Sequence, residues 1–407
     1  MKKLLILSLF AAACGPTDDG TEQQDDPIVI VTDDNNGTSK SDGTNNANND
    51  ANNNDTTGDT NNATTAPTPE GLALLGNFQH TIDSVDYTVI ATAEDRLLNP
   101  RDLAFNPAVP SELWIINVGD NSTVIVDGPG TDAQTSERLA GLGNDHFMAR
   151  PSSIAFGDNG NFGTAQDTDE ITQPSTPYDF MGPTLWTSDR TIYDGGHAGH
   201  LDMLHNSPNG AGIAWETENV YWVFDGFHNS ITRYDFNTDH GPGGSDHRDG
   251  EVARYVEGAV SYVDGVSSHL EFHHGLHLLY VVDSGNNRVA VLDPTLGSPG
   301  QTLSPNYDGG TQYYVDGTEL TTLIDGSEAG LEVPSGIAIA GETIFVSDNK
   351  LSLIAAFDFE GNLIDYLDLS SEVPSGGLMG IEVAPDGSLY AVDAVSNTVI
   401  RVAAASE

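Results

Sequence analysis

One phrase recurs six times along this chain: a short apolar run, a turn, a second run ending in Asp, a polar turn and a third run. The fourth and sixth copies are the clearest, LLYVVDSGNNRVAVLD from Leu278 to Asp293 and SLYAVDAVSNTVIRV from Ser388 to Val402. Each run is β-branched or aromatic-rich and bounded by Gly, Asn, Asp or Pro, so each reads as a strand and its turn. A repeated small sheet cannot bury both faces alone; stacking copies around an axis does so. The chain is therefore expected to be all-β, a six-bladed ring whose function sits on one face or in a central channel. The copies begin at Pro100, Pro151, Gly212, near His269, at Pro334 and at Gly380. The blade aspartates Asp225, Asp283, Asp348 and Asp393 are unevenly spaced, which calls for long insertions in several blades. Insertions on a rigid scaffold are where specificity is expected.

The sixth copy ends at Val402 with three strands and no room for a fourth, while a lone strand-like run, Asp86 to Thr92, precedes the first copy. Supplying that run as the outer strand of the last blade would remove an open sheet edge and close the ring. DSGNNRV, from Asp283 to Val289, is the most specific phrase in the repeat, and with the six copies it makes the chain resemble the NHL-repeat family of six-bladed β-propellers over roughly residues 75 to 403.

The ends carry other information. Lys2 and Lys3 precede an apolar stretch, Leu4 to Phe10, and then Ala11-Ala12-Ala13-Cys14. The stretch is too short to span a bilayer as a mature helix and reads as a signal segment, residues 1–13. Small residues before the only cysteine resemble a bacterial lipobox, although Ala11 stands where Leu is usual. That resemblance implies cleavage before Cys14 and lipidation of its thiol, hence a membrane-anchored, extracytoplasmic protein at the outer membrane or cell surface. An ordinary secretory signal cut near Ala13 is the alternative. Residues 14–70 are rich in Asn, Asp and Thr, with twelve acids against Lys40 alone. Such a stretch buries too little apolar area to offset its ordering entropy, so a disordered, extended tether is expected. Residues 71–407 form the ring domain and carry 49 acids against 11 Lys and Arg. That charge excludes nucleic acid as a partner and gives solubility or attraction for cations; a monomer is expected.

Chemistry, if any, is expected from the histidines. Eleven of the twelve lie between His146 and His277. His146 and His205 each stand eight residues before an equivalent inner-strand isoleucine, Ile154 and Ile213, and His269 directly precedes the inner strand of the fourth blade. Inner strands converge on the channel mouth, so these three are the candidate ligands for a divalent transition metal such as zinc. The segment His146-Phe147-Met148-Ala149-Arg150-Pro151 resembles a zinc-ligand segment of peptidyl-hydroxyglycine amidating lyases, and Ser268-His269-Leu270 weakly resembles a second. The family's third ligand lies in its last blade, where Leu378-Met379-Gly380-Ile381 has no histidine, so the complete zinc site does not carry over. His205 would have to replace it. Two further clusters stand out: HAGHLDMLH, with His197, His200, Asp202 and His205, and Asp239 to Gly250, whose acids and glycines could wrap calcium. Trp114, Trp186, Trp215, Trp222, Tyr221 and Phe227 are expected to pack between blades or to wall a ligand site. No nucleophile elbow, phosphate loop or dinucleotide fingerprint is present. The expected function is an envelope-anchored propeller binding a metal, small ligand or protein partner at its channel mouth; the alternative is a metal-dependent enzyme, amidating-lyase-like or lactonase-like.

Overall fold

The computed structural model describes residues 71–406 apart from 142, 177–178 and 195–198. The signal segment, Cys14, the tether and His197 lie outside the described residues. Six sheets surround a central channel, and their inner strands are Pro100–Phe105, Pro151–Phe156, Gly210–Thr217, Leu270–His273, Pro334–Ala340 and Leu378–Val383. Each inner strand corresponds to one copy of the repeated phrase. α-Helical segments are confined to single turns of four residues.

The conserved shape of each copy has a local cause. In blades 3 to 6 the second strand ends in a buried Asp, and in three of them its carboxylate accepts amide hydrogens of the turn that follows; in blades 1 and 2 the strand ends in Asn117 and Gln166. Asp225 accepts from His228, Asp348 from Lys350 and Leu351, and Asp393 from Val395 and Ser396. Asp283 instead holds the Asn286 side chain and the distant Ser261 amide. The same turn needs one left-handed residue, and Asn supplies it at Asn121, Asn229, Asn287 and Asn397, with φ between 48° and 56°. Asn tolerates that conformation better than other non-glycine residues because its short side chain bonds locally. In the fifth blade Ser352 takes the position, at φ 57°.

Closure occurs as the topology demands. Val85–Ala91 pairs antiparallel with Thr398–Ala404, with Tyr87 opposite Val402 and Val89 opposite Ile400. The blade-6 sheet thus takes its outer strand from the other end of the domain. Apolar side chains fill the wedges between adjacent blades. Trp114 packs against Phe156, Phe162 and Tyr193 between blades 1 and 2, and Trp186 and Trp222 are likewise buried. Phe227 is exposed, and Trp215 borders the channel.

The insertions are where the blades differ. Residues between the third and outer strands of blade 4 leave that blade and form the hairpin Ser298–Thr302 and Thr311–Asp316. Its second strand pairs in parallel with Glu251–Tyr255, the outer strand of blade 3, making a six-stranded sheet. A second insertion, after the third strand of blade 3, lies along the free edge of blade 2. There the His240 and Gly243 amides donate to the carbonyls of Leu201 and His200.

Candidate functional site

The channel holds a cavity of about 270 Å³ walled by residues of all six blades. Asp102 from blade 1, His269 and Glu271 from blade 4 and Glu382 from blade 6 face it, with Phe105, Trp215 and Phe272 among the apolar walls. Asp102 is fixed by its own strand and its neighbour: Oδ1 accepts from the Leu103 amide at 2.8 Å and Oδ2 from the Ile154 amide at 2.9 Å. Gly380 makes room for it, because a Cβ there would lie 2.1 Å from Asp102 Oδ1 and 2.9 Å from His269 Cε1. Among the described residues, no lysine or arginine lines the cavity. Burial pushes Asp102 up to about 8, against the pull of its two amides. Burial, and then the Asp102 charge, raises Glu382 to about 8. Glu271 is raised by burial and by both of these carboxylates. Three acids therefore share a space that favours their neutral forms.

The three histidines read as a metal set occupy different environments. His146 lies on the single helical turn Asn144–Phe147, its ring 4.7 Å from that of Phe147 and 5.8 Å from that of Phe180; burial lowers its pKa. His205 Nδ1 lies 2.6 Å from Asp308 Oδ1, and its amide donates to the other oxygen of the same carboxylate. His269 is inside the channel, with Nδ1 3.5 Å from Asp102 Oδ1 and Nε2 3.3 Å from the Ser152 carbonyl. Burial lowers it to about 4. Their equivalent spacing in sequence does not bring them together: they form no group whose ligand atoms lie within 4.8 Å of one another. His269 abuts the inner strand itself, whereas the other two sit on the approaches to theirs, eight residues upstream of Ile154 and Ile213.

Such a group does exist elsewhere. Among the described residues, Asp202, His240 and His247 alone bring three His, Cys, Asp or Glu ligand atoms within 4.8 Å of one another. Asp202 lies on the outer strand of blade 2, His200–Met203, and both histidines lie on the blade-3 insertion. His247 Nδ1 is 2.7 Å from Asp202 Oδ1, and His240 Nε2 is 4.0 Å from it. Burial lowers the basicity of His247, but the hydrogen bond and charge of Asp202 outweigh this and leave its pKa raised. His200, two residues before Asp202, stacks on Phe147 at 3.9 Å and lies 5.1 Å from the His240 ring. Burial, with the neighbouring imidazoles, brings His200 down to about 4. These residues could hold a metal ion. The sequence shows both halves as separate clusters, HAGHLDMLH and Asp239 to Gly250; only the packing of one insertion on a neighbouring blade joins them.

No family model and no curated protein matches the chain. Solved structures do. An auxiliary nutrient binding protein from Bacteroides thetaiotaomicron is 12% identical with a TM-score of 0.50, covering 74% of this chain and 68% of its own. A protein of unknown function from the same organism is 12% identical with a TM-score of 0.50, covering 80% of this chain and 75% of its own. Virginiamycin B lyase from Staphylococcus aureus is 10% identical with a TM-score of 0.47, covering 78% of this chain and 99% of its own. At such identities a likeness speaks for the fold alone. The chain is a six-bladed β-propeller, and what it binds has to be argued from its own residues.

Proposed function

We propose that this propeller is an envelope-anchored binding protein that takes a small organic cation in its channel. The observation that carries this reading is the convergence of Asp102, Glu271 and Glu382, from three different blades, on one cavity without a lining lysine or arginine. An ammonium or guanidinium group would restore the ionised carboxylates that burial disfavours. Trp215, Phe105 and Phe272 offer aromatic faces suited to the same ligand class. A single small ion fits less well. Calcium–oxygen distances of about 2.4 Å keep two ligand oxygens within about 4.8 Å, and the three channel carboxylates do not form a group that close. A transition metal such as zinc would go instead to Asp202, His240 and His247, so metal-dependent catalysis in the channel is the less supported reading. Lipidation at Cys14 would hold the ring at the membrane surface.

Calorimetric titration with putrescine, choline and arginine, each beside a neutral analogue of similar size, tests the channel. At least one cation should bind, its neutral analogue should not, and the double variant Glu271→Gln, Glu382→Gln should weaken binding about tenfold or more. Equal affinity for charged and neutral probes, or no binding by any cation, would refute the proposal.

A further inference from the structure

Asp202, His240 and His247 meet where the blade-3 insertion lies on the edge of blade 2, with His200 beside them, and among the described residues three of these four side chains present an atom with no hydrogen-bond partner. His200 and Asp202 are 5% and 1% exposed, and the side chains of His240 and His247 are 5% and 13% exposed. A register shift in the outer strand sets Asp202 opposite Leu185 and His200 opposite Trp186, so Asp202 faces the insertion while His200 stacks on Phe147 at its rim. Among the described residues, His200 Nδ1, Asp202 Oδ2 and His240 Nε2 are all unpartnered. A buried polar atom left without a partner is destabilising, and three in one cluster need a common explanation. His240 adds another indication. Its Nδ1 lies 2.7 Å from the Gly241 carbonyl, which fixes the proton there and leaves Nε2 with a free lone pair. Histidine ligands to metals are oriented by this kind of bond.

We propose that Asp202, His240 and His247 form a transition-metal site that staples the blade-3 insertion to blade 2. Two imidazoles and one carboxylate suit zinc, and calcium is a poor match for nitrogen donors. The three ligands come from the edge of blade 2 and from the insertion, so the metal here joins two elements. Its mechanical effect follows from what it joins. The insertion meets this edge through the two amide–carbonyl bonds from His240 and Gly243 and through the His247–Asp202 contact, and a metal would bind Asp202 on one side of that contact and His240 and His247 on the other. The site is separate from the channel carboxylates and does not depend on whether the channel takes a cation.

The test uses the full mature chain without a histidine tag, stripped with a chelator and titrated with zinc chloride. One zinc per chain is expected, with no calorimetric signal from calcium. Asp202→Asn and His240→Ala should each weaken zinc binding by about 100-fold or more, beyond the usual effect of losing an outer-shell partner. His247→Gln, which keeps hydrogen-bonding capacity and volume, serves if those variants melt early. Cobalt should give the intense visible absorption of four-coordinate geometry in the wild type and lose it in His247→Gln. Zinc should slow amide exchange across residues 239–250 in the wild type. Absence of stoichiometric zinc, full retention by an Asp202→Asn, His240→Ala double variant, the weak spectrum of six-coordinate cobalt, or unchanged exchange in the insertion would each overturn the proposal.

Discussion

Asp102, Glu271 and Glu382 show how position along a strand sets the behaviour of a carboxylate. The repeat aspartates Asp225, Asp283 and Asp348 are more deeply buried than Glu382, yet they accept several hydrogen bonds each. Glu271 and Glu382 project into the channel with no such partners, and burial drives their pKa values upward. The consequence for pH is specific. A carboxylate whose folded pKa is raised binds its proton more tightly in the folded state, so its contribution to stability is full below the unfolded pKa of about 4.3 and is lost as pH rises through the folded value. For Glu382 that value is about 8. Glu382→Gln should therefore raise Tm at pH 9, by about 2–4 °C for each kcal/mol relieved, and leave it nearly unchanged at pH 4. Thermal melts of both proteins across that range check this; an equal shift at both ends would show that ionisation is not the cause.

Among the elements, the strand Val85–Ala91 has the largest consequence for its size. Its apolar side chains Val85, Ile90 and Ala91 are buried in two adjoining wedges of the core, and its backbone completes the blade-6 sheet. Without it Thr398–Ala404 would become an exposed edge, and the first and last blades would lose the strand that links them. Deleting residues 72–95 should lower Tm by more than 10 °C and broaden the transition. Calorimetry showing an unchanged cooperative melt would mean that the ring closes in another way. The insertions follow a different logic. Asp308, in the insertion that departs from blade 4, accepts the His205 amide and faces its ring. The hairpin is thereby tied to the approach to blade 3 as well as to that blade's outer strand. Here side chains selected for burial in a distant blade hold the polypeptide, and the repeat has no part in it.

At the scale of the whole molecule, an acidic ring is joined to a segment read as a lipoprotein signal and tether. Twelve of the 61 acids fall in residues 15–70. Anchoring by acyl chains at Cys14 would leave the propeller free to present its channel away from the lipid. Cys14→Ser should move the protein from the membrane fraction to the soluble fraction while leaving its melting curve unchanged. Retention of the variant in washed membranes would remove the lipid anchor from the account.

What could be read along the chain and what could not divide by physical range. The six blades, their starting residues and the closing strand were legible because they rest on local chemistry. Apolar strand runs recur at every copy, a buried Asp ends the second strand in blades 3 to 6, an Asn with positive φ marks the turn in four blades, and an unpaired edge demands its partner. The grouping of side chains was not legible, because it depends on where insertions go after leaving a blade. Equal spacing before the inner strands made His146 and His205 look equivalent, with His269, directly before its own inner strand, as a third member, but their rings found Phe147 and Phe180, Asp308, and Asp102 as neighbours. Asp202, His240 and His247 are separated by a blade boundary in sequence and meet only because one insertion packs on the neighbouring blade's edge. The channel acids have the same character. Asp102, Glu271 and Glu382 are unremarkable in sequence, and only closure of the ring brings three blades to bear on one cavity.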